Sequence, residues 1–120
     1  MEINLRKQDA CVIEEMGWGH LEWYASGGIG NSESTTVGMC VIDVGQANGR
    51  HLHPNCSEIL LVLEGEIIHS LEDEKFAMTV GDVIVIPGGV VHNARNVGDG
   101  PARLSIVFDT GYRETQGVED

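Results

Sequence analysis

The sequence predicts a single all-β domain, and three observations lead there. Sixteen glycines, many beside Asn, Asp or Pro, punctuate 120 residues too often for helices of ordinary length. Short runs of β-branched and aliphatic residues fill the intervals, and helical heptads, linkers and low-complexity tracts are absent. A length of 120 residues with 42% hydrophobic content fits one domain over 1–120 and leaves no room for two.

Residues 1–17 form an N-terminal arm whose periodicity fits neither a strand nor a helix. Strands are expected over 18–25, 35–44, 58–63, 66–71, 75–80, 83–86 and 102–109. Gly27-Gly28-Ile29-Gly30-Asn31-Ser32 is a loop between the first two. Along 102–109, Ala102, Leu104, Ile106 and Phe108 share one face, and Arg103, Ser105, Val107 and Asp109 share the other, so one side is core. Ile59-Leu60-Leu61-Val62-Leu63 and Val83-Ile84-Val85-Ile86 are apolar at every position, which calls for cover on both faces by a second sheet or a second subunit. A homodimer is therefore expected. Regular spacing of short strands suggests a sandwich or barrel, and residues 111–120 read as a polar tail anchored by Tyr112 and Arg113.

Seven basic against 19 acidic residues give a formal charge of −12, which repels phosphate backbones and anionic lipid. Nucleic acid and membranes are thus not expected partners. No apolar run approaches the roughly 20 residues that cross a bilayer, and the start Met1-Glu2-Ile3-Asn4 lacks a secretory pattern, so a cytoplasmic location is expected. Cys11, Cys40 and Cys56, an odd number without a CxxC pair, read as reduced thiols.

Four residues carry the chemistry. His51 and His53, two apart on an extended segment, project from one face, and Glu58 follows after the turn-forming Pro54-Asn55-Cys56-Ser57. A hairpin there would set Glu58 across from both imidazoles. His92 arrives after Pro87-Gly88-Gly89-Val90-Val91, at the start of a further strand. Three imidazoles and a carboxylate suit one divalent Fe, Mn, Ni, Co or Zn per chain.

The stretch 45–65 reads G(x)5HxH(x)4E(x)6G through Gly45, His51, His53, Glu58 and Gly65, and 81–96 reads G(x)5PxG(x)2H(x)3N through Gly81, Pro87, Gly89, His92 and Asn96. Both resemble the two motifs of the cupin superfamily at every fixed position. The resemblance implies a cupin-type double-stranded β-helix, a jelly-roll barrel, commonly dimeric, with a mononuclear metal held by His51, His53, Glu58 and His92. It further implies an enzyme acting on a small oxygenated organic substrate, with dioxygenase chemistry preferred over isomerase, lyase or decarboxylase chemistry. Glu58 would serve as ligand and base together. The alternative is a noncatalytic small-molecule-binding or sensing barrel.

The remaining positions have simpler readings. Gly45, Gly65 and Gly81 suit positive φ. Asn96 is expected to hydrogen-bond backbone near the turn that Pro87 and Gly89 shape, while Leu60 and Val62, with Met39 or Cys40, are expected pocket walls. His20 and His69 stand alone as surface or satisfied interior histidines, and Cys56 is an unreactive loop thiol. Trp18, Trp23 and Tyr24 pack against the barrel or cap a pocket, and Glu72-Asp73-Glu74 is a solvated hairpin tip. Arg103, Tyr112 and Arg113 are substrate clamps or surface residues.

Overall fold

Alternation along 102–109 organises the molecule. In a computed structural model that describes residues 1–119, every second side chain of this strand, from Ala102 to Phe108, is buried. After a short 3-10 turn at Gln8–Ala10, the strands are β1 Val12–Met16, β2 Gly19–Ala25, β3 Thr36–Ile42, β4 His51–Leu52, β5 Glu58–Glu64, β6 Glu66–Leu71, β7 Glu74–Thr79, β8 Val83–Ile86, β9 His92–Asn96, β10 Ala102–Phe108 and β11 Gln116–Gly117. They form two antiparallel sheets, one ordered β1-β2-β3-β10-β5-β8 and the other β11-β4-β9-β6-β7. From β3 onward most connections change sheet, which is the jelly-roll barrel that the two motifs imply. No helix among the described residues is long and apolar enough to cross a membrane.

The core lies between the sheets. Ile42, Val62, Ile86, Leu104, Ile106 and Phe108 enter it from one sheet, Ile67 and Ala94 from the other. The apolar runs of β5 and β8 are not sandwiched between two sheets. Leu60, Val62 and Ile86 point inward, while Ile59, Val83 and Val85 remain 47%, 55% and 59% exposed on the outer face.

Three expectations change. The N-terminal arm contains β1, paired with β2 from Val12↔Trp23 to Met16↔Gly19. All five of its residues are exposed, so backbone pairing holds it and no apolar face announces it. The segment 54–57 does not close a hairpin, because it carries the chain from one sheet to the other. Glu58 then faces the histidines across the barrel interior. The tail is structured too, with β11 pairing to β4 and Val118 N–H donating to the Arg50 carbonyl. Asp120, the last residue of that tail, lies outside the described residues.

Gly45, Gly65 and Gly81 all have positive φ, as expected. At Gly65 space also matters, since a Cβ would come within 3.0 Å of Ala102 Cα. Asn96 bonds backbone, but at a different turn from the one expected. Its side-chain NH2 donates to the carbonyls of Ile42 and Gly100, each at 2.9 Å, and its Oδ1 accepts from Gly98 N–H. It thereby ties the β9–β10 turn to the end of β3.

Asn96→Ala strands these buried backbone groups and should lower unfolding free energy by about 2–4 kcal/mol in chemical denaturation. Asn96→Asp should cost more, because a carboxylate would face two carbonyl oxygens where the amide donates. An aspartate variant as stable as wild type would show that these contacts do not matter.

Candidate metal centre

Three of the four expected ligands come from one side of the barrel. His51 opens β4 and His92 opens β9, and the two are register partners. His53 lies two residues beyond His51, so strand parity returns it to the interior side. Glu58 opens β5 in the facing sheet. The His51 ring centroid lies 4.9 Å from that of His53 and 4.3 Å from that of His92. One ligating nitrogen from each of the three rings falls within 4.8 Å of the others. Glu58 Oε1 stands 3.1 Å from His92 Nε2 and 3.4 Å from His53 Nε2.

Backbone carbonyls set the chemistry of these rings. His51 Nδ1 lies 2.8 Å from Gly49 O, His53 Nδ1 2.9 Å from Glu114 O, and His92 Nδ1 3.0 Å from Val90 O. A carbonyl only accepts, so each Nδ1 carries the proton and each Nε2 is left to face the common point. His53 Nε2 is buried there with no hydrogen-bond partner. Such an orphaned nitrogen beside a buried carboxylate fits a divalent cation held by the three imidazoles; Glu58 stands beside two of them and outside that three-nitrogen group.

The charges agree. Burial, reinforced by His92, pushes His51 down to about 4 and keeps it neutral. Burial alone would raise the Glu58 carboxyl, yet the imidazoles of His53 and His92 overcome it and hold the group at about 2. Burial would lower His92, but the Glu58 carboxylate and the Val90 carbonyl win and raise it. The 3.1 Å approach of His92 Nε2 to Glu58 Oε1 is favourable with a proton between them, and a cation can take that proton's place.

Loops fix the ligands from outside. The backbone N–H of Gly89 donates to the carbonyl of His53, joining the loop before His92 to the segment after His51. Glu72 does more than form a solvated tip. Its N–H donates to Val91 O at 2.8 Å and its carboxylate accepts from Val91 N–H, clasping the residue before His92. Glu114, in the supposed tail, supplies the carbonyl that orients His53. None of this is visible in residue spacing, because every tie but the Glu72 carboxylate runs through main-chain atoms that any residue would offer.

A cavity of about 250 Å³ opens from the centre, walled mainly by apolar side chains that include Leu60, Leu104, Ile106, Cys40 and Phe108. Of the two expected walls Leu60 lines it and Val62 does not, and of the alternatives Met39 and Cys40 it is Cys40 that does. The aromatic group divides. Trp18, in the β1–β2 turn, and Trp23, on β2, line the cavity, whereas Tyr24, next along β2, faces the other way and donates to Glu22. His20 also bonds Glu22, and Arg103 lies near Glu22 and Glu64, both away from the cavity. Cys56 is buried, and Tyr112 is exposed. His69 departs from its expected reading. It is 1% exposed, lines the cavity, stacks on His92 with centroids 5.9 Å apart, and leaves Nδ1 without a partner. Arg113 lines the cavity as well.

The sequence profile of the cupin domain matches residues 38–108. Germin-like protein 1-1 of Oryza sativa subsp. japonica is 37% identical over 89 residues, covering 68% of this chain and 41% of that protein. An oxalate decarboxylase of Lactobacillus farciminis, solved as a formate complex, superposes with a TM-score of 0.84 at 21% identity, over 92% of this chain and 34% of the other. A Bacillus subtilis oxalate decarboxylase studied for its Mn(II) centres gives a TM-score of 0.80 at 20% identity, over 87% and 29%. At these identities the two structures share the fold. This chain spans less than half the length of each of these relatives.

Ending the chain at Arg113 removes the Glu114 carbonyl and β11. Affinity for a divalent metal, measured by competition with a chelator, should fall about 10- to 100-fold while the strand signature in circular dichroism persists. Undiminished affinity would mean that His53 is oriented without this contact.

Proposed function

The chain belongs to the cupin domain family, and on that premise we propose that it is a divalent-metal enzyme acting on a small oxygenated organic molecule in the cavity between its sheets. The observation that carries the proposal is the buried, partnerless Nε2 of His53, set beside Glu58 and aimed by a protonated Nδ1. His51, His53, Glu58 and His92 are the proposed ligands. The decarboxylase studied for Mn(II) centres supports a divalent ion, and the complete donor set serves Mn, Fe, Co, Ni or Zn.

When bound, the metal supplies Lewis acidity toward substrate oxygen atoms or, if redox-active, a means of engaging O₂. The chain's own residues do the rest. The three histidines orient the ion, and Glu58, kept ionised by its imidazole neighbours, serves as ligand and as proton acceptor for the substrate. Leu60, Leu104 and Ile106 exclude water around the reacting atoms, which strengthens every charge interaction there. Oxygen-dependent cleavage is the reaction to assay first. Decarboxylation stands beside it, given the decarboxylases that share the fold.

Protein purified without chelator should carry close to one metal per chain by elemental mass spectrometry. His53→Ala and His92→Ala should each lower occupancy at least about tenfold with the barrel still folded. Full occupancy in either variant would refute the ligand assignment. Oxygen uptake or carbon dioxide release with a panel of diketones, catechols and hydroxy acids then tests catalysis. Metal without turnover across the panel would favour a binding or sensing role.

The proposal extends to a reducing, cytoplasmic setting, supported by three free thiols. It also extends to a homodimer, in which the outer face of β5 and β8 is covered by a second copy. There Ile59 pairs with Val85 and Leu61 with Val83 in one apolar patch. Sedimentation should give twice the 13.0 kDa of one chain, and Val85→Lys should give the monomer mass. A wild-type monomer at micromolar concentration would overturn the dimer.

A further inference from the structure

Two of the seven basic side chains, Arg50 and Arg113, line the same cavity in a chain whose formal charge is −12. Arg50 donates to the Glu72 carbonyl. Arg113 is different in its surroundings. Its guanidinium lies 4.3 Å from the Trp23 ring centroid and 5.3 Å from that of Phe108, and the Phe108 ring is in turn 4.9 Å from the His53 ring. One of its nitrogens donates to Thr115 Oγ1, and no ion pair among the described residues includes it. The Glu14 carboxylate acts on it through space and is itself engaged by Trp23 Nε1–H at 3.2 Å.

The cation is held in place. Asn55 donates through Nδ2 to Tyr112 O at 2.8 Å and accepts through Oδ1 from Glu114 N–H at 2.9 Å, bracketing Arg113 on both sides. Gly111 is tied to Glu33 and Gly27 by backbone bonds. Trp23, the platform under the guanidinium, lies so close to Gly38 that a Cβ there would sit 2.5 Å from its ring. Arg113 is half-buried, and the neighbouring cavity residues Thr115, Gly117 and Met16 are exposed, so it stands at the mouth with the metal centre beyond Phe108.

We propose that Arg113 is an anion-binding specificity residue, and that the cavity selects a molecule with an oxygen-chelating head at the His/Glu centre, an apolar body, and a carboxylate at the mouth. The inference rests on the reading of this cavity as the substrate site and names the class of substrate. A planar fork of donors on aromatic faces is the arrangement that takes a carboxylate in two parallel hydrogen bonds. Desolvation by the rings strengthens that pairing, and a preset side chain loses little entropy on binding. The apolar wall between mouth and centre gives a two-carbon diacid nothing to pack against, whereas an aromatic or aliphatic body fills it.

The test compares probes that differ only in charge. Calorimetry on the full-length, Zn(II)-loaded protein under nitrogen measures 3,4-dihydroxyphenylacetate against 3,4-dihydroxyphenylacetamide. Trp fluorescence of the metal-free protein measures phenylacetate against phenylacetamide, which have no chelating head. In both arms the acid should bind about 10- to 100-fold more tightly than the amide. Arg113→Gln should remove that preference by weakening the acid alone, with metal content unchanged, and Arg113→Lys should restore part of it. Equal binding of acid and amide by the wild type, or equal weakening of both in Arg113→Gln, would overturn the proposal and leave Arg113 a structural cap. Failure to load Zn(II) with the fluorescence preference intact would count against the metal reading and leave the anion site standing.

Discussion

Burying a carboxylate among imidazoles is the constraint from which most of this structure follows. An ionised Glu58 in a dry interior is costly by several kcal/mol unless positive charge and hydrogen bonds meet it. His92 meets it across the barrel at 3.1 Å, and His53 Nε2 stands 3.4 Å away, where a cation would lie between the two. Since the carboxylate belongs to one sheet and the histidines to the other, the two sheets must face each other in one register for the charge to be tolerated. A slip of β5 by one residue would turn Glu58 outward and Ile59 inward, removing the anion from its partners. Core packing and polar centre therefore specify the same alignment.

The imidazoles can do this only because their other nitrogens are spoken for. Gly49, Glu114 and Val90 each offer a carbonyl, so three rings share one tautomer and one direction. Those carbonyls sit in loops and in the C-terminal segment, and further ties hold the loops themselves: Gly89 to His53, Glu72 to Val91, Asn55 to both neighbours of Arg113. The strands supply a rigid frame, and irregular chain supplies the orientation, a division of labour that suits a site needing both stability and chemical variety.

Segments with the weakest hydrophobic signature complete the cavity. β1 has no buried residue, yet its last residue, Met16, forms part of the wall beside Trp18. The polar C-terminal segment orients His53 and brings Arg113 over Trp23 and Phe108. Without these two segments the cavity would be an apolar trough open to water. With them it has a charged mouth, an apolar wall and a polar floor, which distinguishes two ends of a bound molecule.

By itself the sequence determined the strands whose side chains alternate or are wholly aliphatic, the four side chains of the centre, and the positive-φ glycines at 45, 65 and 81. Each of these is written in short-range pattern, in parity along a strand or in fixed spacing. Only the tertiary structure decided that 54–57 crosses between sheets, that Asn96 ties the β9–β10 turn to β3, and that His69 stacks on His92. It alone placed the Glu114 carbonyl and the Arg113 guanidinium at the site. The physical reason is the same throughout. These contacts are made by main-chain atoms, or by single polar side chains far apart in sequence, and neither leaves a periodic trace in the order of residues.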